Sequence, residues 1–239
     1  MNPKITEISS IVDYTLLNPL ATVEQVNEFC SIARMRNYKT VCISSSFLNY
    51  LYNFFPDLVA CSVVGFPLGS SMVEVKALEI ATLLAAGASE LDIVLNLFFL
   101  KTKRFDMVAN ELNVLFATVD KVKTSKDCRA ITRPIVLKLI LETGNYTSDE
   151  LYEIVTFIKK YYFSNLHKYK RVSQLFIKTC TGFGPRGASL EDTDIIHSAL
   201  GNNIDIGIKA SGGIKTLEQA KEFVIHGATR LGVSTDICA

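Results

Sequence analysis

Short apolar runs alternate with stretches of helical period from one end of the chain to the other. Residues 11–17 form a first strand-like run, followed by a helical pattern from Thr22 to about Arg36. Residues 39–44 are the second run, with a helical pattern near 47–54, and residues 60–66 are the third. The loop Pro67-Leu68-Gly69-Ser70 then opens a helix, with Ser70 or Ser71 as N-cap and Gly87 as terminator. Runs at 91–97, 135–142, 175–180, 204–210 and 230–234 complete the set. Between them lie helical patterns at 105–123, from Ser148-Asp149-Glu150 to about Phe163, from Ser189 to about Leu200, and from Thr216 to Gly227. Strands that alternate with helices imply a parallel sheet, since a parallel neighbour needs a crossover. Eight such units in 239 residues predict an α/β fold, a closed (β/α)8 TIM barrel, rather than an open doubly wound sheet. No linker or low-complexity tract interrupts the pattern, so 1–239 reads as a single domain.

Alternation inside the strands sharpens the picture, because residues two apart share a face. Asp92, Val94 and Asn96 oppose Leu91, Ile93, Leu95 and Leu97. Val136, Lys138, Ile140 and Glu142 oppose Leu137, Leu139 and Leu141. Phe176, Lys178 and Cys180 oppose Leu175 and Ile177, and Gly207, Lys209 and Ser211 oppose Ile206, Ile208 and Ala210. Each strand has one nearly pure apolar face, which packs on the helices, so the other points into the barrel. That interior would hold Asp92, Asn96, Lys138, Glu142, Lys178 and Lys209. Buried charge is costly unless paired or tuned, so this set is either a satisfied ion-pair network or a reactive site.

Composition narrows the chemistry. A net charge of +1 implies no general attraction to nucleic acid or anionic membrane. No run reaches the roughly 18–20 apolar residues of a membrane span, and the N-terminus lacks a signal-peptide core. The six cysteines (Cys30, Cys42, Cys61, Cys128, Cys180, Cys238) form no CxxC pair, and the histidines (His167, His197, His226) lack ligand spacing. Reduced thiols in a cytoplasmic protein, with no metal and no cofactor, are the expectation.

An interior lysine that precedes a glycine-rich turn suggests Schiff-base chemistry on a phosphorylated carbonyl compound. A free lysine, with a pKa of about 10.4, is protonated at neutral pH; desolvation or a neighbouring cation frees the amine. Lys209 is placed to supply that cation to Lys178, with Lys138 on the other side. Strand parity alone leaves open which lysine attacks; the adjacent turn favours Lys178. Asp92 suits proton transfer, or else simply pairs with Lys209. Three glycine-bearing stretches end strands and offer amides to a phosphate: Thr181-Gly182-Phe183-Gly184, Ser211-Gly212-Gly213-Ile214 and Gly232-Val233-Ser234-Thr235, with Lys215 nearby.

The chain resembles the deoxyribose-phosphate aldolase family over nearly its whole length. The resemblance rests on Asp13-Tyr14-Thr15-Leu16-Leu17, Val64-Gly65-Phe66-Pro67-Leu68-Gly69 and Glu90-Leu91-Asp92-Ile93-Val94, on Leu137-Lys138-Leu139-Ile140-Leu141-Glu142-Thr143 and Phe176-Ile177-Lys178-Thr179-Cys180-Thr181-Gly182-Phe183, and on Gly207-Ile208-Lys209-Ala210-Ser211-Gly212-Gly213-Ile214. It implies a metal-free class I aldolase on a TIM barrel, cleaving 2-deoxy-D-ribose 5-phosphate to acetaldehyde and D-glyceraldehyde 3-phosphate. On that pattern Lys178 forms the Schiff base, Lys209 assists it and joins proton transfer, and Asp92 gives and takes protons. Gly182, Gly212, Gly213, Lys215, Ser234 and Thr235 fall where the family binds phosphate. Asp13, Thr15, Asn18 and Cys42 fall near the substrate pocket. A small phosphosugar is the implied partner, without nucleic acid or membrane, in a dimer or tetramer of like chains. Departures are Cys180 and Thr235 where serines are usual, the bulky Phe98-Phe99, and a chain end at Ala239 without the tail tyrosine of some members. Other readings are a different Schiff-base phosphosugar lyase, of transaldolase type, and a non-catalytic phosphosugar-binding barrel.

Overall fold

Eight strands close into one barrel in chain order, and the last pairs with the first. A computed structural model of the chain describes residues 4–122, 134–165, 168–201 and 205–238. The strands are β1 (Val12–Leu16), β2 (Thr40–Ile43), β3 (Ala60–Val64), β4 (Glu90–Val94), β5 (Ile135–Ile140), β6 (Val172–Lys178), β7 (Ile206–Ser211) and β8 (Arg230–Val233). Every pairing is parallel. The helices are α1 (Ile5–Ser9), α2 (Val23–Arg36), α3 (Leu48–Phe54), α4 (Val73–Ala85), α5 (Leu97–Lys101), α6 (Phe105–Lys121), α7 (Ser148–Asn165), α8 (Leu190–Leu200) and α9 (Leu217–Ile225). The alternation of apolar and helical stretches is therefore realised as the expected (β/α)8 barrel.

Strand parity also holds. The main hydrophobic cluster takes Leu91 and Ile93, Leu137 and Leu139, Leu175 and Ile177, and Ile206 and Ile208 from the outward faces. Helix residues such as Val108, Leu112, Leu115 and Phe116 of α6 cover them. Each fully buried side chain of this size contributes about 1.5–3 kcal/mol relative to exposure, which is why the apolar faces turn outward onto the helices. The inward faces carry the charges. Phe176 fills part of the interior only because Gly207 lies beside it: a Cβ there would stand 2.4 Å from the ring.

Several boundaries differ from the periodicity. β4 ends at Val94, and Asn96 leaves the barrel face to cap α5 by accepting from the amides of Phe98 and Phe99. Asn96 thus does not join Asp92 inside: the side chain competes for local amides, as short polar side chains do at helix starts. β5 ends at Ile140, and Glu142 takes a left-handed conformation with φ 58°. The cap of α4 is Met72 rather than a serine. Thr147 caps α7, accepting from the Glu150 amide while Glu150 accepts from the Thr147 amide. Lys123, Cys128, His167 and Ile204 lie outside the described residues.

Candidate active site

The end of β6 brings Lys178 into the interior, and the ladder sets Lys209 of β7 directly beside it. Asp92 of β4 is in register with Lys138 of β5. Asp92 Oδ2 accepts from Lys178 Nζ at 2.6 Å and from Lys209 Nζ at 2.7 Å. Its Oδ1 accepts from Lys138 Nζ at 2.9 Å. One carboxylate therefore gathers three amines from three successive strands. The four side chains are essentially buried, with Lys178 retaining 3% exposure.

A second set of charges backs this centre. Lys138 Nζ also lies 2.8 Å from Glu90 Oε2 and 3.1 Å from Asp13 Oδ2. Lys209 also donates to Asp13. Arg230 Nη1 donates to Asp13 Oδ1 at 2.7 Å and to Glu90 Oε2 at 3.1 Å, and its guanidinium sits 5.1 Å from the Phe176 ring centroid. Burial alone pushes the Asp92 carboxyl up, yet Lys138, Lys178 and Lys209 together hold it well below the carboxylate range. Asp13 follows the same balance, with burial opposed by Lys138, Lys209 and Arg230. For the Lys138 and Lys209 ammonium groups burial works downward, and Asp13 and Asp92 overcome it and raise both. Asp13, Glu90 and Asp92 thus face Lys138, Lys178, Lys209 and Arg230, and one positive charge is in excess when all are ionised.

Above the charges, loops after β1, β6, β7 and β8 enclose a cavity of about 450 Å³. Thr15, Asn18, Gly182, Gly212, Gly213, Lys215 and Ser234 line it. The three glycine loops thus converge. Gly213 has φ 82°, and a Cβ on it would meet no atom within 4 Å, so the space over its backbone is open. The loop after β6 is pinned at both ends. Glu142 Oε2 accepts from the Thr181 amide at 3.2 Å and from the Thr181 hydroxyl, which in turn accepts from the Phe183 amide at 3.0 Å. Further along, Arg186 Nη2 donates to Asp192 Oδ1 at 2.8 Å, and the Ala188 amide donates to the Gly212 carbonyl at 3.0 Å. Phe183 stands exposed at the lip, edge-on to Phe66.

Of the remaining sequence candidates, Asp13, Cys42 and Lys138 lie buried among the charges and do not line the cavity, and Thr235 is exposed outside its lining. Sequence reasoning misses Glu90 and Arg230 as interior charges, although parity with Asp92 and Gly232 is the signal that finds them. It also misses Lys76. Fully buried Lys76 of α4 donates to the carbonyls of Gly69 and Val94 at 2.7 and 2.8 Å and to Glu111 at 2.6 Å, tying the loop after β3 to the end of β4. A lysine in a helical pattern carries no signal for that role.

Among the described residues, the donor atoms of Cys42, Cys61 and Asp92 lie within 4.8 Å of one another, close enough for a metal. The set does not fit one. Lys138 Nζ is 3.2 Å from Cys61 Sγ and 2.9 Å from Asp92 Oδ1, so a cation would have to displace an ammonium group from a surrounding that already carries surplus positive charge.

No model of a known protein family matches the chain. Individual relatives do. The chain is 38% identical over 235 residues to a deoxyribose-phosphate aldolase of Caldanaerobacter subterraneus subsp. tengcongensis, covering 98% of this chain and 92% of the relative. It is 36% identical over 233 residues to that of Coprothermobacter proteolyticus, covering 97% and 94%. A solved aldolase structure superposes with a TM-score of 0.79 at 30% identity, covering 95% of this chain and 91% of that one. The tetrameric deoxyribose phosphate aldolase of Aeropyrum pernix superposes with a TM-score of 0.75 at 26% identity, covering 97% and 88%. A barrel whose interior lysines, aspartate and glycine loops stand together as described, and relatives this similar over nearly their full length, lead to one statement: the chain belongs to the deoxyribose-phosphate aldolase family.

Proposed function

We propose that the chain is a class I aldolase that reversibly cleaves 2-deoxy-D-ribose 5-phosphate to acetaldehyde and D-glyceraldehyde 3-phosphate. One observation carries the assignment of the nucleophile. Among the described residues Lys138 meets Asp13, Glu90 and Asp92, and Lys209 meets Asp13 and Asp92, whereas Lys178 meets Asp92 alone. The surplus positive charge leaves most cheaply where the fewest carboxylates are stranded. Lys178 is therefore the amine with the fewest carboxylates to strand, and the nucleophile is assigned to it.

The free amine of Lys178 adds to the substrate aldehyde, and loss of water leaves an iminium. A base takes the proton of the 3-hydroxyl, the C2–C3 bond breaks, and its electrons pass into the iminium to give an enamine. D-glyceraldehyde 3-phosphate departs. Protonation of the enamine at C2 and hydrolysis then release acetaldehyde and restore the amine. Asp92 begins as a carboxylate and so begins as an acceptor. A neutral Lys178 removes one of the three cations that suppress its basicity, which makes Asp92 a better base when the substrate arrives. Lys209, held as an ammonium, is the donor. Phosphate binds at Gly182, Gly212, Gly213 and Ser234, with Lys215 adding charge. Thr15 and Asn18 face the sugar from the other wall, and Asp13, Lys138 and Cys42 position the charges beneath it.

The whole chain, 1–239, serves as one catalytic domain in this reading, and it self-associates. Met72, Val75 and Leu78 form an exposed apolar stripe on α4, and sedimentation velocity that finds only monomer would reject the oligomer. Among the described residues no helix is long and apolar enough to cross a membrane. The decisive experiment traps the intermediate: incubation with acetaldehyde and borohydride, followed by peptide mapping, should place a reduced two-carbon adduct on Lys178. An adduct elsewhere, or none, refutes the mechanism.

A further inference from the structure

Two interior thiols carry no step of the reaction above. Cys42 of β2 and Cys61 of β3 are register partners in the parallel ladder. Neighbouring strands are about 4.8 Å apart, within the roughly 4.4–6.8 Å that a disulfide spans between Cα atoms. Both thiols are free and buried, and their sulfurs lie within 4.8 Å of each other and of an Asp92 oxygen. We propose that Cys42 and Cys61 are a peroxide-reactive pair that closes reversibly into a disulfide and thereby shuts down the neighbouring site.

The surroundings divide the roles. The neighbouring Cys61 thiol draws the Cys42 thiol below its ordinary range; burial and Asp92 oppose this, and Lys209 and Lys178 reinforce it. Burial above all pushes the Cys61 thiol up, so it keeps its proton. Cys42 is therefore the attacking sulfur and Cys61 the resolving one. Thr15, the register partner of Cys42 on β1, lines the cavity, so the pair lies one strand from it.

The chemistry balances with a small hydroperoxide as oxidant. The Cys42 thiolate attacks one peroxide oxygen, the O–O bond breaks, and the departing alkoxide or hydroxide takes up a proton, leaving a sulfenic acid. The Cys61 sulfur then attacks Cys42 Sγ, the S–O bond breaks, and water leaves with the Cys61 proton. Two thiols and one peroxide give one disulfide, one alcohol (or water) and one water. Cys61 Sγ now donates to Asp92 Oδ1 at 3.3 Å and accepts from Lys138 Nζ at 3.2 Å. Bonding to Cys42 removes that proton and draws the sulfur away. Losing one hydrogen bond to a catalytic charge lowers the rate by about tenfold or more.

The test uses the reduced full-length protein, titrated with hydrogen peroxide, alkylated, and analysed by intact mass, peptide mapping and aldol-cleavage rate. The expected result is a loss of two hydrogen masses, a cross-linked peptide joining Cys42 to Cys61, an activity loss of about tenfold, and recovery with dithiothreitol. Cys61→Ser should give no cross-link, and the same dose should carry Cys42 to sulfinic acid without recovery. Cys61→Ala repeats the measurement if the serine disturbs the fold, and Cys30→Ser should leave the cross-link intact. No link, a link between other cysteines, or a linked enzyme with full activity overturns the proposal. The mass measurements stand even if the aldolase reading fails, so the two failures are distinguishable.

Discussion

Asp92→Asn is the most informative substitution, since it separates the structural from the chemical side of one carboxylate. The wild-type group meets Lys178, Lys209 and Lys138 at 2.6, 2.7 and 2.9 Å. At an effective dielectric of about 20, each such contact has a gross attraction of about 6 kcal/mol. Most of that offsets the cost of taking the ions out of water, and breaking a buried pair by removing one partner costs about 3–5 kcal/mol net. The asparagine leaves Lys138, Lys178, Lys209 and Arg230 facing only Asp13 and Glu90. Urea unfolding at neutral pH should therefore show a loss of about 3–5 kcal/mol, a large share of the roughly 5–15 kcal/mol that domains possess. Cleavage should fall by at least about a hundredfold, because the amide cannot accept a proton. Adding Lys138→Met removes one stranded cation, and the double variant should recover part of the stability but none of the activity. A single variant within about 1 kcal/mol of wild type would show that the network does not hold its charges as described. An active, destabilised variant would reduce Asp92 to an ion-pair partner.

Three further outcomes follow from the same geometry. Lys209→Met removes the cation beside Lys178 and leaves Asp13 with only Lys138 and Arg230, so cleavage should drop about a hundredfold and the acidic limb of the rate–pH profile should move to higher pH; a lower rate with an unmoved profile would mean a purely structural role. Gly213→Ala puts a Cβ into open cavity at φ 82°, at a backbone cost of about 1–2 kcal/mol; KM for the phosphorylated substrate should rise about tenfold while the non-phosphorylated sugar is nearly unaffected, and equal effects on both would remove Gly213 from the phosphate site. Asp13 and Asp92 have folded values below their unfolded value of about 3.9, so the stability they contribute is fully present above about pH 4 and is lost as pH falls toward the folded values. Urea midpoints at pH 7, 5 and 3 should be level over the first interval and drop over the second, and a steady decline from pH 7 would contradict the assignment.

Much of the site is legible in the amino-acid sequence. Alternation alone places Lys178 and Lys209 on one face of adjacent strands, and the ladder sets them side by side. The three glycine loops belong together at the strand ends on the same pattern, and they share one cavity. Where each strand stops is not legible. Asn96 and Glu142 have the parity of interior residues, but each lies beyond the last register pair of its strand, where local hydrogen bonding and a left-handed turn decide the direction of the side chain. Lys138 reads as a second cation for Lys178, yet Asp13, Glu90, Asp92 and Cys61 occupy its amine.

The sequence by itself determined the order of elements, the barrel and the inward face of each strand, because periodicities of 2 and 3.6 are local properties that each segment carries alone. Tertiary structure alone decided which carboxylate each amine meets. That depends on strands far apart in the chain, with Asp13 reaching Lys209 and Arg230 across nearly the whole chain. It also decided that Lys178 meets one carboxylate, Asp92, among the described residues while Lys138 and Lys209 meet more, since ion pairs follow distance in space rather than along the chain.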